Sequence, residues 1–535
     1  MRTLKKRQIL NLTILALYVV MLVVEIFAII GILRLNMLPT GLLILVIAVF
    51  LAITVGIGFL LFYKSKRLKG KKARAAVRTR RIVAGFVIIL MLIISIVICI
   101  VTGDVLKTLD AVSMDDDKPV VVTRTIYVQA EDAAQKLEDA SSYTFGYVKN
   151  YDTECTQQAV AELQKAFGAT PATASYDNVF KMVDALLGGQ VDAIIMNSGY
   201  VTVLEYEEAY ADFSEKTKVL ADVEIAGESG DAPENPTDPE DPGLSVDPEN
   251  TDPVTTEPTE PEAPITPDNL EPFVVYLSGS DTRNAMLKGG RSDVNILAVV
   301  NPNTRQVLLI NSPRDFYVAN PSGDGAMDKL THCGIYGVKC SMKALGDLYD
   351  EEVDYHLQIN FEGFKKAIDA MGGITVYSDY SFTAIRRTKI VKGENYLTGQ
   401  QALDFARERY TLAGGDNARG KNQMKVIKAV IDKATSGTTV INNYSAIISS
   451  LDGMFVMSIP KELISSLMKN QLSDMSGWDV FSYAAKGTGT MAETYSMPGM
   501  KLSCIKPNED SVAKATKLIN KVMKGEELTE AMVNG

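Results

Sequence analysis

Apolar positions follow two different patterns along this chain. Up to residue 103 they form three long runs, at about 9–33, 41–63 and 82–102, each close to the ~20 residues that a membrane-spanning helix needs. The first run is too long for a signal-peptide core and has no small-residue cleavage site behind it. Farther along, the runs shorten and change period. Between 119 and 226, PVVVTRTIYVQ reads as a strand, EDAAQKLEDA as a helix and TFGYVKN as a strand. ECTQQAVAELQKAFG and NVFKMVDALLGGQ read as helices and VDAIIMN as a strand. That alternation predicts a small α/β domain with a largely parallel sheet.

Charge sharpens the division. The 535 residues carry a net charge of −11, yet residues 1–103 hold fifteen Lys or Arg against the single acid Glu25, so the remainder stands near −25. Ten of the basic residues lie in the connection 64–81, between the second and third runs, and four more precede the first run. The positive-inside rule places both segments in the cytoplasm and everything after about residue 104 outside the cell. Next to two spans, the 64–81 cluster is a topology determinant and a contact for anionic lipid, not a nucleic-acid site. Glu25 falls within the first span, either as a functional group or in packing against a neighbouring helix.

Residues 227–272 contain fourteen acids, no Lys or Arg, and repeated prolines. Such a segment buries no core and makes an extended, self-repelling linker. The expected organisation is an α/β protein in four parts: a three-helix membrane anchor (1–103), a small α/β accessory domain (104–226), the acidic linker (227–272) and an α/β catalytic domain (273–535) with a mixed central sheet flanked by helices. The accessory pattern resembles one lobe of a periplasmic solute-binding protein but carries no ligand motif, so a spacer or a partner-docking domain reads it equally well. Of the five cysteines, Cys333 and Cys340 are near enough in sequence to pair, and no C-x-x-C motif points to redox or zinc chemistry. With two histidines in the whole chain, a His-based nucleophilic triad has little to draw on.

Candidate chemistry gathers in the last part. Phe273–Leu277, Val294–Val300 and Gln306–Ile310 read as strands, with an NPNT turn between the second and third. If they run antiparallel, Asp281, Asp293 and Arg314 meet at one edge of the sheet. Two carboxylates there suit a hard, oxygen-seeking ion such as Mg²⁺. Next, KLTHCGIYG (329–337) reads as a loop before a helix, VDYHLQIN as a strand, and FEGFKKAIDAMGG as a helix with Phe361, Phe364, Ile368 and Met371 on its apolar face. His332 reads as a structural hydrogen-bonding residue. Around 399–431, a helix carrying Ala402, Leu403 and Ala406 inward is expected to end before Arg407 and Arg409, which then share one face of an extended segment. Past Gly414-Gly415, a second helix capped by Asp416 carries Arg419 in its first turn and Gln423 one turn on. Guanidiniums gathered at a helix start form a site for a di- or polyphosphate.

In order, GSDTR (279–283), RSD (291–293), VVNPNTRQVLLINSPRD (299–315), K-x-x-H (329–332), VDYHLQINFEGFKKAIDAMGGITV (353–376), LTGQQALDFARER (397–409) and GGDNARGKNQ (414–423) closely resemble the LytR-CpsA-Psr family of Gram-positive bacteria. The likeness is strong over 273–435 and looser to about 525. It implies a membrane-anchored phosphotransferase working outside the cell. Such an enzyme moves a glycopolymer (a teichoic acid or capsule-like polysaccharide) from undecaprenyl-pyrophosphate to the N-acetylmuramic acid of peptidoglycan. By motif, Asp281 and Asp293 would hold Mg²⁺, while Arg291, Arg314, Arg407, Arg409, Arg419 and Gln423 would hold the pyrophosphate. Asp293, Arg314, Arg407 and Arg409 form the catalytic set, and the apolar interior would take the polyprenyl chain. This chain has Asn422 where many members carry arginine, with Lys421 beside it as a compensating charge. A polyprenyl-pyrophosphate pyrophosphatase and a non-enzymatic envelope sensor or scaffold are the rival readings.

Overall fold

The computed structural model describes residues 2–62, 70–112, 121–149, 153–205, 207–226, 269–280, 290–412, 414–436 and 454–534. Three helices, α1 (Arg2–Leu35), α2 (Thr40–Phe62) and α3 (Gly70–Val112), contain the apolar runs, and stretches of 24, 23 and 32 residues in them are long and apolar enough to cross a membrane. They pack through Met21, Ile57, Ala84 and Ile88 and leave Phe27, Val55 and Phe86 exposed, as lipid-facing helices do. Glu25 is buried between helices, where Thr54 Oγ1 donates to its carboxylate at 2.7 and 3.0 Å.

The first sheet has five strands: β1 (Val121–Gln129), β2 (Thr144–Val148), β3 (Ala172–Tyr176), β4 (Ala193–Met196) and β5 (Thr217–Ala226), in the order β3-β2-β4-β1-β5. β2 runs parallel to β3 and β4, but β1 is antiparallel to both β4 and β5, so the sheet is mixed instead of largely parallel. EDAAQKLEDA, expected to be a helix, forms only a 3₁₀ turn at Leu137–Ala140. Asp132 accepts from the Ala134 amide and the Tyr143 hydroxyl, and these local bonds compete with a helix there. The acidic segment lies, up to residue 268, outside the described residues.

The main sheet comprises β6 (Phe273–Ser280), β7 (Val294–Asn301), β8 (Gln306–Asn311), β9 (Tyr355–Asn360), β10 (Phe455–Met457) and β11 (Asp479–Ala484), ordered β10-β9-β6-β7-β8-β11. β6, β7 and β8 are antiparallel neighbours as expected, whereas β9 and β11 join them in parallel. Strand residues alternate between two cores. Val274, Tyr276, Leu297, Val299, Leu308 and Ile310 face the helices Val338–Tyr349 and Glu509–Met523. Phe273, Val275, Ile296, Ala298, Val307 and Leu309 face the helices Gly415–Thr435 and Lys461–Asp474. The result is a three-layer arrangement with the sheet in the middle. KLTHCGIYG is not a plain loop: it forms a short helix, Leu330–Cys333, and a 3₁₀ turn, Gly334–Tyr336. Cys333 and Cys340 are buried free thiols.

Both other parts of the chain touch this unit. At its β10 end, Met457 packs with Val105 and Leu109 of α3, Ser465 donates to the Leu35 carbonyl (3.1 Å), and Lys469 bonds Asn36. On another side, the first sheet unit shares one apolar cluster with Ile335 and Met497.

Candidate functional site

The register of the antiparallel strands builds the site. Gly279 pairs with Val294 and Ile296 with Asn311, so the start of β7 lies at the same edge as the ends of β6 and β8. Asp293 is pinned there by its amide, which donates to the Gly279 carbonyl (3.0 Å), and Ser312 likewise donates to Asn295 (2.9 Å). Three residues past β8, Arg314 turns back and its Nη1 donates to Asp293 Oδ1 at 2.6 Å. Asp281 lies outside the described residues; Ser280, just before it, pairs with Asn360 at this edge. Arg291 follows Gly290 and precedes the buried Ser292, whose amide donates to Thr331 O (3.3 Å).

Helix Gly399–Arg407 begins at Thr398, whose amide donates to Gln401 Oε1 (3.0 Å), and buries Ala402, Leu403, Phe405 and Ala406. It ends where Glu408 turns extended and its buried carboxylate accepts from the amides of Tyr410 and Thr411 at 2.8 and 2.9 Å. Arg407 is therefore the last helical residue, and only Arg409 lies beyond the end. The two guanidiniums part company. Arg407 stacks 4.5 Å above the Phe361 ring, which follows the end of β9, whereas Arg409 lies 5.9 Å from the Tyr410 ring. The next helix starts at Gly415, before the expected cap, so Asp416 sits in its first turn and forms an ion pair with Arg419. That helix crosses close over the end of β8: a Cβ on Gly420 would lie 2.2 Å from Asn311 Nδ2. A larger residue would have to displace the Asn311 side chain, so Gly420 favours the approach that brings Arg419 toward the Asp293–Arg314 edge.

Electrostatics confirm the convergence of part of the set. Burial lowers the Arg419 guanidinium from its ordinary value, Asp416 and Asp293 oppose that, and the nearby charges of Arg314 and Arg409 add to the lowering. Burial also pulls Arg314 down, but Asp293, Asp315 and Asp416 more than reverse it. Arg314 Nε is buried without a hydrogen-bond partner, its nearest carboxylate oxygen being Asp315 Oδ2 at 3.8 Å. Like charges held together, with a donor left over, call for an anion of more than one charge. Gln423 lies one turn beyond Arg419 on the same helix face.

Asn422 is buried and donates to the Phe405 carbonyl at 3.2 Å, capping the preceding helix. Lys421 is exposed and two positions from Arg419, which puts it on the far side of the helix. Two acids are additions to the expected set. Asp416 had a helix-cap pattern and proves to be the counter-ion of Arg419, and Asp315 bonds Lys329 Nζ at 3.1 Å. Among the described residues no three His, Cys, Asp or Glu side chains gather as a metal cluster. Mg²⁺ is commonly held by one or two carboxylates with phosphate oxygens and water completing its shell; of the two expected ligands only Asp293 is among the described residues, and its Oδ1 is bonded to Arg314.

The chain is similar in sequence to known proteins. Residues 245–510 match the LytR_cpsA_psr family. A curated Enterococcus faecalis protein, polyisoprenyl-teichoic acid–peptidoglycan teichoic acid transferase TagU, is 35% identical over 186 residues, covering 34% of this chain and 60% of the relative. The Bacillus licheniformis protein of the same name is 36% identical over 174 residues, covering 32% and 56%. The chain thus spans less than two thirds of the length of either relative. The crystal structure of B. subtilis TagU aligns with 49% of this chain and 100% of its own length, at 25% identity and a TM-score of 0.38. Sequence match and motif order agree that this chain, through residues 245–510, belongs to the LytR-CpsA-Psr family.

Proposed function

We propose that the protein is a membrane-anchored phosphotransferase. It moves a glycopolymer, a teichoic acid or a capsule-like polysaccharide, from undecaprenyl-pyrophosphate to the N-acetylmuramic acid of peptidoglycan. The observation that carries this reading is the meeting of Arg314, Arg409 and Arg419 with Asp293 at one sheet edge. The curated relatives, which bear this kind of activity in their names, support it. We take residues 273–535 as the catalytic domain. The basic flanks of α1 and α3 argue that this domain lies outside the cell.

In the reaction, the acceptor hydroxyl oxygen attacks the phosphorus that carries the glycopolymer. The bond from that phosphorus to the bridging oxygen breaks, and undecaprenyl phosphate leaves. Arg314, Arg409 and Arg419, with Arg291 and Gln423 beside them, bind the pyrophosphate oxygens and neutralise charge growing on the leaving phosphate. Asp293 and Asp281 would hold Mg²⁺, which supplies Lewis-acid polarisation of the phosphoryl oxygens. Asp293 could take the hydroxyl proton only with a carboxylate oxygen that neither the metal nor Arg314 holds. Phe361 stays partly exposed under Arg407 and suits the prenyl groups next to the pyrophosphate, whereas Phe364 packs against the core beside it. Ile368 and Met371, by contrast, are packed into a core with Val376, Phe405 and Val426. Contact of the domain with α1 and α3 keeps the site within reach of a carrier in the bilayer.

The test is full-length protein with a polyprenyl-pyrophosphate-linked oligosaccharide and peptidoglycan fragments, with and without Mg²⁺. Transfer of the glycan phosphate to peptidoglycan is expected. Release of free glycan phosphate without acceptor would make the protein a pyrophosphatase, and an untouched donor would leave a scaffold role.

A further inference from the structure

We propose that Asn197 and Tyr200, in the unit built on the first sheet, are positioning residues for the anion site. They act through the turn Gly334–Tyr336 and the buried carboxylate of Asp328. The inference rests on the phosphotransferase reading only for its effect on donor binding; the coupling itself stands on contacts.

The 121–226 unit is docked on the main unit, not merely tethered to it. Met182, Val183, Ile194 and Tyr200 share one buried cluster with Ile335 and Met497. Polar bonds also cross the junction: Asn197 Nδ2 donates to the Ile335 carbonyl at 2.7 Å, and the hydroxyls of Tyr200 and Tyr336 meet at 3.0 Å. From Tyr336 the bonds continue inward. Its hydroxyl lies 3.0 Å from Ser496 Oγ, and Ser496 donates to Asp328 Oδ2 through both its hydroxyl and its amide. Asn320 Nδ2 donates to the same oxygen (3.0 Å), while Asp328 Oδ1 accepts from the Lys329 amide (2.8 Å) and meets His332 Nδ1 (2.7 Å). One fully buried carboxylate therefore holds together three chain segments, around 320, 328–332 and 496. Burial pushes that carboxyl up, and the bonds from His332, Ser496 and Asn320 more than reverse it, so it stays anionic and the bonds persist at neutral pH.

The segment that Asp328 holds is the one on which the arginines hang. Thr331 N donates to the Arg314 carbonyl at 2.9 Å, and Ser292 N donates to the Thr331 carbonyl at 3.3 Å. On the other side of Arg291, Gly290 N donates to the Gly334 carbonyl at 3.1 Å. That contact is tight: a Cβ on Gly334 would lie 2.5 Å from the Gly290 carbonyl oxygen. Arg291 is thus fixed on both flanks to the stretch 331–334, and the next two residues, Ile335 and Tyr336, are those that Asn197 and Tyr200 grip. A shift of the docked unit has a short, hydrogen-bonded route to the backbone of both Arg291 and Arg314.

Tyr200→Phe removes one hydroxyl and keeps the ring in its cluster, and Asn197→Asp removes one donor at constant shape. Both are made in full-length protein in detergent and compared with wild type in two measurements. Hydrogen exchange should speed up at residues 290–292 and 331 in either variant, although the substitutions lie in the other unit. The dissociation constant for geranylgeranyl pyrophosphate, used as the probe, should rise by about two- to tenfold, the effect of one lost hydrogen bond. Adding Tyr336→Phe to Tyr200→Phe should weaken binding further, because it also removes the bond to Ser496. Unchanged exchange at 290–292 and 331 in both variants overturns the proposal, whatever happens to melting. Faster exchange without any probe binding by wild type would retain the coupling and sink the phosphotransferase reading instead.

Discussion

Arg314 Nη1 and Asp293 Oδ1 stand 2.6 Å apart, joining the end of one strand to the start of its antiparallel neighbour. Both groups are mostly buried, so the pair orders the site and also leaves a charge exposed to loss if either partner goes. Asp293→Ala should lower transfer by ~100-fold or more, the scale on which charge-stabilising groups act in transition states. It should also cost about 1–3 kcal/mol of stability, since Arg314 is left short of an acceptor. Asp281→Ala should abolish transfer and weaken the dependence on Mg²⁺ while the domain stays folded. Transfer assays across a Mg²⁺ series, alongside thermal melting, check both; normal transfer by either variant would end the assignment.

Arg419 offers a separation of stability from function. Its guanidinium is lowered by burial and by Arg314 and Arg409, with only Asp416 and Asp293 in opposition. Arg419→Ala loses the mostly buried Asp416 pair but relieves repulsion from Arg314 and Arg409, so it should cost less stability than Asp293→Ala. Donor binding should nevertheless fall. A variant that unfolds would show that the residue is structural.

Arg407 and Arg409 should respond differently, because one stacks on Phe361 and the other adds to the field at Arg419. Arg409→Ala should raise the donor KM and be rescued only in part by lysine, since an ammonium lacks the two-pronged guanidinium contact. In Arg407→Ala the loss should grow with the prenyl length of the donor. Steady-state kinetics with short- and long-chain donors measures the contrast.

His356 sets an acid limit on stability. It is buried, its Nε2 has no hydrogen-bond partner, and burial with help from Lys339 lowers its pKa to about 4. Between about pH 6.5 and 4 the unfolded chain takes up a proton that the folded one refuses, so stability falls as pH falls across that window. The loss is on the order of 3 kcal/mol when complete. His356→Gln should flatten that part of the melting-temperature profile; an unchanged slope would assign it to other groups.

Membrane topology is testable without any assay of activity. A cysteine introduced in 227–272 should react with an impermeant label on intact cells, and one in 64–81 should not. The reverse pattern would put the arginine site on the wrong side for a peptidoglycan acceptor.

Local patterns in the sequence determined the spans and the β6–β7–β8 meander, and located the helix ends near Arg407 and Asp416 only to within a residue or two. Each depends on periodicity, a turn or a charge bias within a few residues of itself. The meeting of Asp293 with Arg314 was legible for the same reason, because short antiparallel connections fix which strand ends share an edge. Long-range packing decided the rest. Asp416 became an ion-pair partner and not a cap because the helix begins earlier, at Gly415, and packs Gly420 close against the Asn311 side chain at the end of β8. The antiparallel placement of β1 depends on β5, nearly a hundred residues away, which no local period encodes. Likewise the docking of Asn197 and Tyr200 on Ile335 and Tyr336 joins residues more than 130 positions apart. The composition of the acidic segment between them gave no hint of a fixed partner, because burial of a shared apolar cluster, and not the linker, holds the two units together.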